Sequence, residues 1–207
     1  MICRGLFVCE GTSDIPLGTI VEDLLRDAGV DSRVVRPDLS RIRRVAARQL
    51  AGKIEAALSL NDGPPDFLVV HRDVDRTSDA QRRDEIRTAA KAVGLTCPVI
   101  CVLPQTMTES WLLVDADEIR VISGNPQGTI RLNLPSRPED VSDSKRLLAE
   151  LLFEASELHG RRAKRLRSRF PESRRELLER LDRTGPVRSL GSFGRLLDDV
   201  ARAAARL

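Results

Sequence analysis

The sequence predicts an α/β fold: a mostly parallel, Rossmann-like sheet with flanking helices and a helical C-terminal third. Three observations carry it. Short apolar runs bounded by turn residues, Leu6-Phe7-Val8-Cys9 and Phe67-Leu68-Val69-Val70 among them, read as buried strands. Segments with helical periodicity alternate with those runs, at a spacing that demands parallel crossovers. The last third then carries helical patterns only.

Taken in order, the first strand covers 2–9. Asp14 is placed to cap a helix that has Pro16 just inside its start, where proline is favoured. Leu17, Ile20, Val21, Leu24, Leu25 and Ala28 recur at helical spacing until Gly29 stops it. A short strand over 32–36 ends at Pro37. A second helix begins at Ser40 and runs to Leu58, with Arg41, Arg43, Arg44 and Arg48 on its outer face. Asn61-Asp62-Gly63-Pro64-Pro65 is a turn before the second apolar run. A helix over 77–93 and a strand over 97–103 follow. Further helices are expected at 143–159, 161–169, 171–183 and 191–206, separated by Gly160, Pro171 and Thr184-Gly185-Pro186. This divides the chain into a core, 1–123, and a helical extension, 124–207, that packs on it.

A chain of 207 residues with 41% hydrophobic and 31% charged side chains can bury a sizeable core. No stretch approaches the ~20 consecutive apolar residues of a membrane span. The N-terminus enters a strand at once without a signal-peptide pattern, so a cytoplasmic protein is expected. Cys3, Cys9, Cys97 and Cys101 lack the close spacing of zinc ligands and read as buried small apolar residues. The net charge of +3 hides an asymmetry: residues 160–207 carry 14 basic and 6 acidic side chains. The densest stretch places Arg161, Arg162, Lys164, Arg165, Arg167 and Arg169 within nine residues that contain no acid. It reads either as a solvated helix face or as a polyanion-binding surface, and the acidic motifs upstream favour nucleic acid.

Those motifs stand at strand ends, where ligands bind in parallel sheets. Glu10 lies between the first strand and Gly11, which permits a tight turn or close approach of backbone to ligand. Asp73 and Asp75 follow the strand at 67–70. Two apart in extended backbone, they point to one face, and such a pair is held together by a cation or a proton. Oxygen donors of this kind suit magnesium, with manganese as a substitute. The alternative for the pair is an acidic turn partnered by Arg72 and Arg76. Glu109, after the strand at 97–103, is either the first-turn acid of a helix capped by Thr108 or a further metal ligand or base. Trp111 is read as core, and His71 as structural.

Glu10-Gly11-Thr12-Ser13-Asp14 and Asp73-Val74-Asp75 resemble the signature of the Toprim fold, shared by primases, type II topoisomerases, ribosomal-RNA maturases and overcoming-lysogenization-defect nucleases. With Glu109-Ser110-Trp111-Leu112-Leu113-Val114-Asp115 and the late Ser192-Phe193, the chain is similar over nearly its whole length to the bacterial Toprim-like domain-of-unknown-function family 4276. The resemblance implies a Toprim-like core. In it Glu10 acts as general acid/base or metal ligand, and Asp73 and Asp75 hold magnesium. The activity it implies is metal-dependent cleavage of DNA or RNA, in the setting of phage defence. The chain has no tyrosine, so a topoisomerase nucleophile is absent. It also has no ATPase phosphate-binding loop, so a partner protein, an ATPase or other defence component, would supply any motor.

Two other functions fit parts of the sequence. Asp73-Val74-Asp75-Arg76-Thr77 matches the nucleophile motif of haloacid-dehalogenase-type phosphatases locally. The lysine and acidic pair that such an enzyme needs at strand ends, Lys145 and Asp198-Asp199, fall instead in helical segments. A non-catalytic Toprim-like module, assembling with a partner through its basic C-terminal third, is the other.

Overall fold

The computed structural model describes residues 2–9, 11–39 and 49–207. Glu10 and residues 40–48, the first part of the expected second helix, lie outside the described residues. Of Thr12 only the backbone is described. The chain divides into two compact units, one formed by Met1–Leu103 with Gly194–Leu207 and the other by Pro104–Phe193. The expected boundary after residue 123 falls inside the second of these.

Among the described residues, the first unit is built on four strands, all parallel: β1 (Cys3–Val8), β2 (Ser32–Val35), β3 (Phe67–His71) and β4 (Val99–Val102), in the order β2-β1-β3-β4. The α/β class and the parallel sheet are as the sequence predicts, and the topology is consistent with a Rossmann-like fold. All five residues of β3 are buried. A strand apolar on both faces needs cover on both, which is why β3 lacks the polar alternation of a surface strand. Leu6 and Val8 of β1, Leu68 and Val70 of β3, and Cys101 of β4 enter one core cluster with Ile54 and Ala57 of α2 (Leu50–Ser59) and Ile86 and Ala89 of α3 (Asp79–Ala92). The centre of the sheet requires Gly5: it pairs with Phe67, and a Cβ there would come within 2.3 Å of the Phe67 ring.

α1 (Pro16–Asp27) packs beside β2 and buries Leu17, Ile20, Val21, Leu24 and Leu25 of the predicted stripe, while Ala28, its last member, is the exposed C-cap. It ends as the sequence indicates. Gly29 takes a left-handed φ of 84°, and the N–H groups of Gly29 and Val30 donate to Arg26 and Leu25, a Schellman closure. At its start the structure differs. The N-cap is Ile15, with no side-chain cap, and Asp14 sits one residue earlier in a 3-10 turn (Thr12–Asp14). α3 has a stronger start than the sequence suggested: Ser78 accepts from the Gln81 N–H, and the Gln81 side chain accepts from the Ser78 N–H.

The last strand is held from the C-terminal end of the chain. Asp199, buried in α8 (Gly191–Ala204), accepts hydrogen bonds from the Cys101 N–H at 3.1 Å and from Arg83 Nη1 at 2.6 Å. Burial works against the Arg83 charge, but hydrogen bonds to Asp199 and Asp79 outweigh it and raise its pKa. Burial, reinforced by the Asp199 charge, pushes the Cys101 thiol up to about 12. The four cysteines are free thiols, and Cys3 and Cys101 are buried. Because only the thiolate reacts, iodoacetamide at about pH 8 should leave Cys101 unmodified in the folded protein and label it after denaturation. Peptide mapping by mass spectrometry reads this directly, and prompt labelling of native Cys101 would show that β4 is open.

The second unit is helical, as predicted for this part of the chain. It contains α4 (Ala116–Ile122), α5 (Ser144–Ser156), α6 (Gly160–Ser168), α7 (Phe170–Glu179) and the first turn of α8. Trp111 is fully buried there, crossed by Phe193 at 82° with ring centroids 5.2 Å apart, and its indole N–H donates to Ser192 at 2.7 Å. Acids set three of the helix starts. Asp115 caps α4, Asp143 caps α5, and Glu139 accepts from the Gly191 and Ser192 N–H groups at the start of α8.

Candidate functional site

Strand order reverses between β1 and β3. From β1 the chain moves to one side to make β2, then crosses to the other side to make β3. The crevice at such a reversal, beyond the carboxyl ends of the strands, is the usual ligand position in open parallel sheets. Val8 pairs with Val70, so β1 and β3 end side by side. Both acidic motifs follow these two ends in sequence.

On the β1 side, Cys9 Sγ donates to the Gly11 carbonyl at 3.1 Å, and the Asp14 N–H closes a turn on the same carbonyl at 3.3 Å. Gly11 does not use the freedom expected of it. It lies outside the left-handed region, and a Cβ there would meet its nearest atoms, on Ser13 and Asp14, only at ordinary contact distances of 3.5–3.6 Å. Gly11→Ala should therefore fold with stability within about 0.5 kcal/mol of wild type. Thermal melting checks this; a large loss would show that the turn itself demands glycine. If the variant folds normally and its activity falls, a ligand approaches the backbone at Gly11.

Asp14 does not cap α1. It is buried, and its Oδ2 lies 3.7 Å from His71 Nδ1. On the other ring nitrogen, His71 Nε2 lies 3.4 Å from Asp73 Oδ1. The imidazole, 1% exposed, thus stands between a buried carboxylate from the β1 side and a half-buried one after β3. Both distances exceed those of a good hydrogen bond, but they fix which atoms face each other. The sequence reading treated His71 as structural and missed this bridge. The signal was there: it is the polar residue that closes an apolar run immediately before the acidic pair.

The two aspartates do not stand on an extended strand. β3 ends at His71, and Asp75 takes a left-handed φ of 51°, so the two-residue alternation expected to align Asp73 with Asp75 does not apply. Asp73 is half-buried and Asp75 is exposed. The turn is braced from below. Thr77 donates from both N–H and Oγ1 to the Val74 carbonyl, at 3.0 and 2.6 Å, and Arg82 Nε donates to the Asp73 carbonyl at 3.1 Å. Arg72, considered as a partner for the pair, donates to Glu85 at 2.8 Å, as Arg82 does at 2.9 Å. Burial raises the Glu85 pKa, but Arg82 and Arg72 outweigh it and hold the carboxyl below its ordinary value. That stabilisation is present above the ordinary carboxylate range and is lost as the pH falls through the lowered value.

Glu109 belongs to the second unit. It lies in a 3-10 helix (Thr108–Leu112) whose N-cap is Met107, so Thr108 does not cap it. Its buried Oε1 accepts from Arg174 Nε at 2.7 Å, an ion pair with both side chains under 10% exposed. Arg161, Arg162, Lys164, Arg165 and Arg167 are exposed on α6, with Arg169 exposed at its C-cap.

The donor set at the strand ends suits a hard cation. Asp73 and Asp75 offer carboxylate oxygens, and magnesium takes one or two carboxylates while keeping several waters. Among the described residues, no three His, Cys, Asp or Glu side chains are grouped as an all-protein metal cage would need. Glu10, the remaining expected ligand, lies outside the described residues. Comparison with protein-family models, with curated proteins and with solved structures found no match.

Proposed function

We propose that this protein is a magnesium-dependent phosphodiester-cleaving enzyme of the Toprim type, acting on DNA or RNA. The observation that supports the reading is that β1 and β3, the strands each acidic motif follows in sequence, are neighbours at the strand-order reversal of a parallel sheet. Asp73 faces a buried histidine, and Asp75 stands open to solvent. Asp73 and Asp75 would hold Mg²⁺ or Mn²⁺, with Glu10 as a further ligand or as general acid/base. The metal, when bound, stabilises charge on the attacking or leaving oxygen of the phosphodiester. The exposed cations of α6 favour a polyanionic substrate by charge.

The phosphatase reading has less support. Lys145 lies in α5, and Asp199 in α8 is already committed to Arg83 and the Cys101 N–H. A role in phage defence with an ATPase or other partner protein rests on the resemblance to Toprim nucleases.

The test incubates the purified protein with single- and double-stranded DNA and RNA in magnesium, manganese or EDTA, beside Glu10→Gln. Cleavage that needs metal and is lost in the variant is the expected result. Magnesium binding by calorimetry without cleavage of any substrate would instead indicate a binding module that works with a partner.

A further inference from the structure

The second unit holds a cavity of about 480 Å³ between α5, α6 and α7. That lies within the ordinary range for small-ligand sites, and none of the residues discussed above as catalytic lines it. Its walls combine Phe153, Leu166 and Phe170 with Arg146, Glu150 and Arg167. The three apolar side chains are half-buried, so an apolar surface is left facing the opening.

The chemistry of the walls selects a ligand class. The Arg167 guanidinium lies over the Phe153 ring, 4.1 Å from its centroid, so a planar cation is already ordered on an aromatic face. A flat heterocycle can stack on such a plane. Glu150, whose Oε1 lies 3.8 Å from Arg146 Nε, and Glu154 add carboxylates, which accept from the exocyclic amine of a base and repel phosphate. Phosphate is instead favoured along α6, whose exposed Arg161, Arg162, Lys164 and Arg165 carry no acid among them. Base in the cavity and backbone on the helix is the division of labour of single-strand binding sites.

Building on the nucleic-acid reading above, we infer that the α5–α6–α7 cavity receives one unstacked base of a single strand whose phosphates run along α6. The site takes the base by stacking on the Arg167 guanidinium, which Phe153 backs, and discriminates by the Glu150 carboxylate.

The experiment measures binding of the full-length protein, by fluorescence anisotropy, to a labelled oligocytidine of about twelve nucleotides. An abasic strand of equal length serves as comparison, with deoxyribose and ribose backbones both tested. The base-bearing strand should bind roughly tenfold tighter than the abasic one. Phe153→Ala should erase that difference while leaving abasic affinity unchanged. Arg167→Lys, which keeps the charge at an exposed position and spares the packing, should erase most of it. Arg161→Ala and Arg165→Ala should weaken both strands equally and flatten the salt dependence. Equal binding of the two strands, still weakened by the α6 variants, overturns the base site and leaves the nucleic-acid reading standing. No binding to either strand at low salt overturns both.

Discussion

Asp73→Asn should reduce metal-dependent cleavage by roughly 10³-fold, the size expected when several kcal/mol of charge stabilisation is withdrawn. The substitution keeps the shape of the side chain and removes its charge. Asp73 is half-buried and faces His71 Nε2, so its carboxylate has a defined orientation. Asp75→Asn should cost less, about 10-fold, because an exposed carboxylate can be replaced by a water on a magnesium ion. That variant is also a clean one: asparagine tolerates the left-handed backbone at this position as readily as aspartate. His71→Gln, acting through Asp73, should lose about 10–100-fold with weakened magnesium affinity, as is usual when a group orienting a ligand is removed. Calorimetric magnesium titration of each variant separates lost metal binding from lost chemistry. Full activity in Asp73→Asn would remove the strand-end site from the mechanism altogether.

How legible this site was in the sequence depends on the range of the interaction. The strands were legible, because a run such as Phe67-Leu68-Val69-Val70 states its burial locally. So was the end of α1, where Gly29 announces the left-handed turn. Asp14 was misread because the capping rule is local, while the competing partner, His71, lies on another strand. The alternation rule placed Asp73 and Asp75 on one face on the assumption that the strand continued; the chain turns after His71 instead. Glu109 shows the same limit. Its place in a first turn is visible in sequence, whereas its buried pairing with Arg174, 65 residues on, is not. The cavity beside α6 is a product of three helices packing, and only the basic run and Phe153 could have hinted at it.

Asp199→Ala should cost about 3–5 kcal/mol, the range for breaking a buried charged pair from one side. The carboxylate serves three donors: Arg83 Nη1, the Cys101 N–H on β4, and Arg202 one turn along α8. Alanine leaves a β4 amide without its acceptor and part of the Arg83 guanidinium unmatched, although Asp79 still takes Arg83 Nε at 2.6 Å. Melting should fall by roughly 10 °C, and Cys101 should become more reactive toward iodoacetamide as its cover loosens. Asp199→Asn keeps an oxygen for the amide and should cost less, about 1–3 kcal/mol. The adjacent Asp198 is exposed, and Asp198→Ala should stay within about 0.5 kcal/mol of wild type. This contrast also bears on function. A phosphatase would need carboxylates such as these at the reacting centre, so Asp199→Asn would remove its activity. Under the nuclease reading Asp199→Asn lowers melting and, below that melting point, leaves metal-dependent cleavage at its wild-type rate. A rate collapse in well-folded Asp199→Asn would instead support the phosphatase reading.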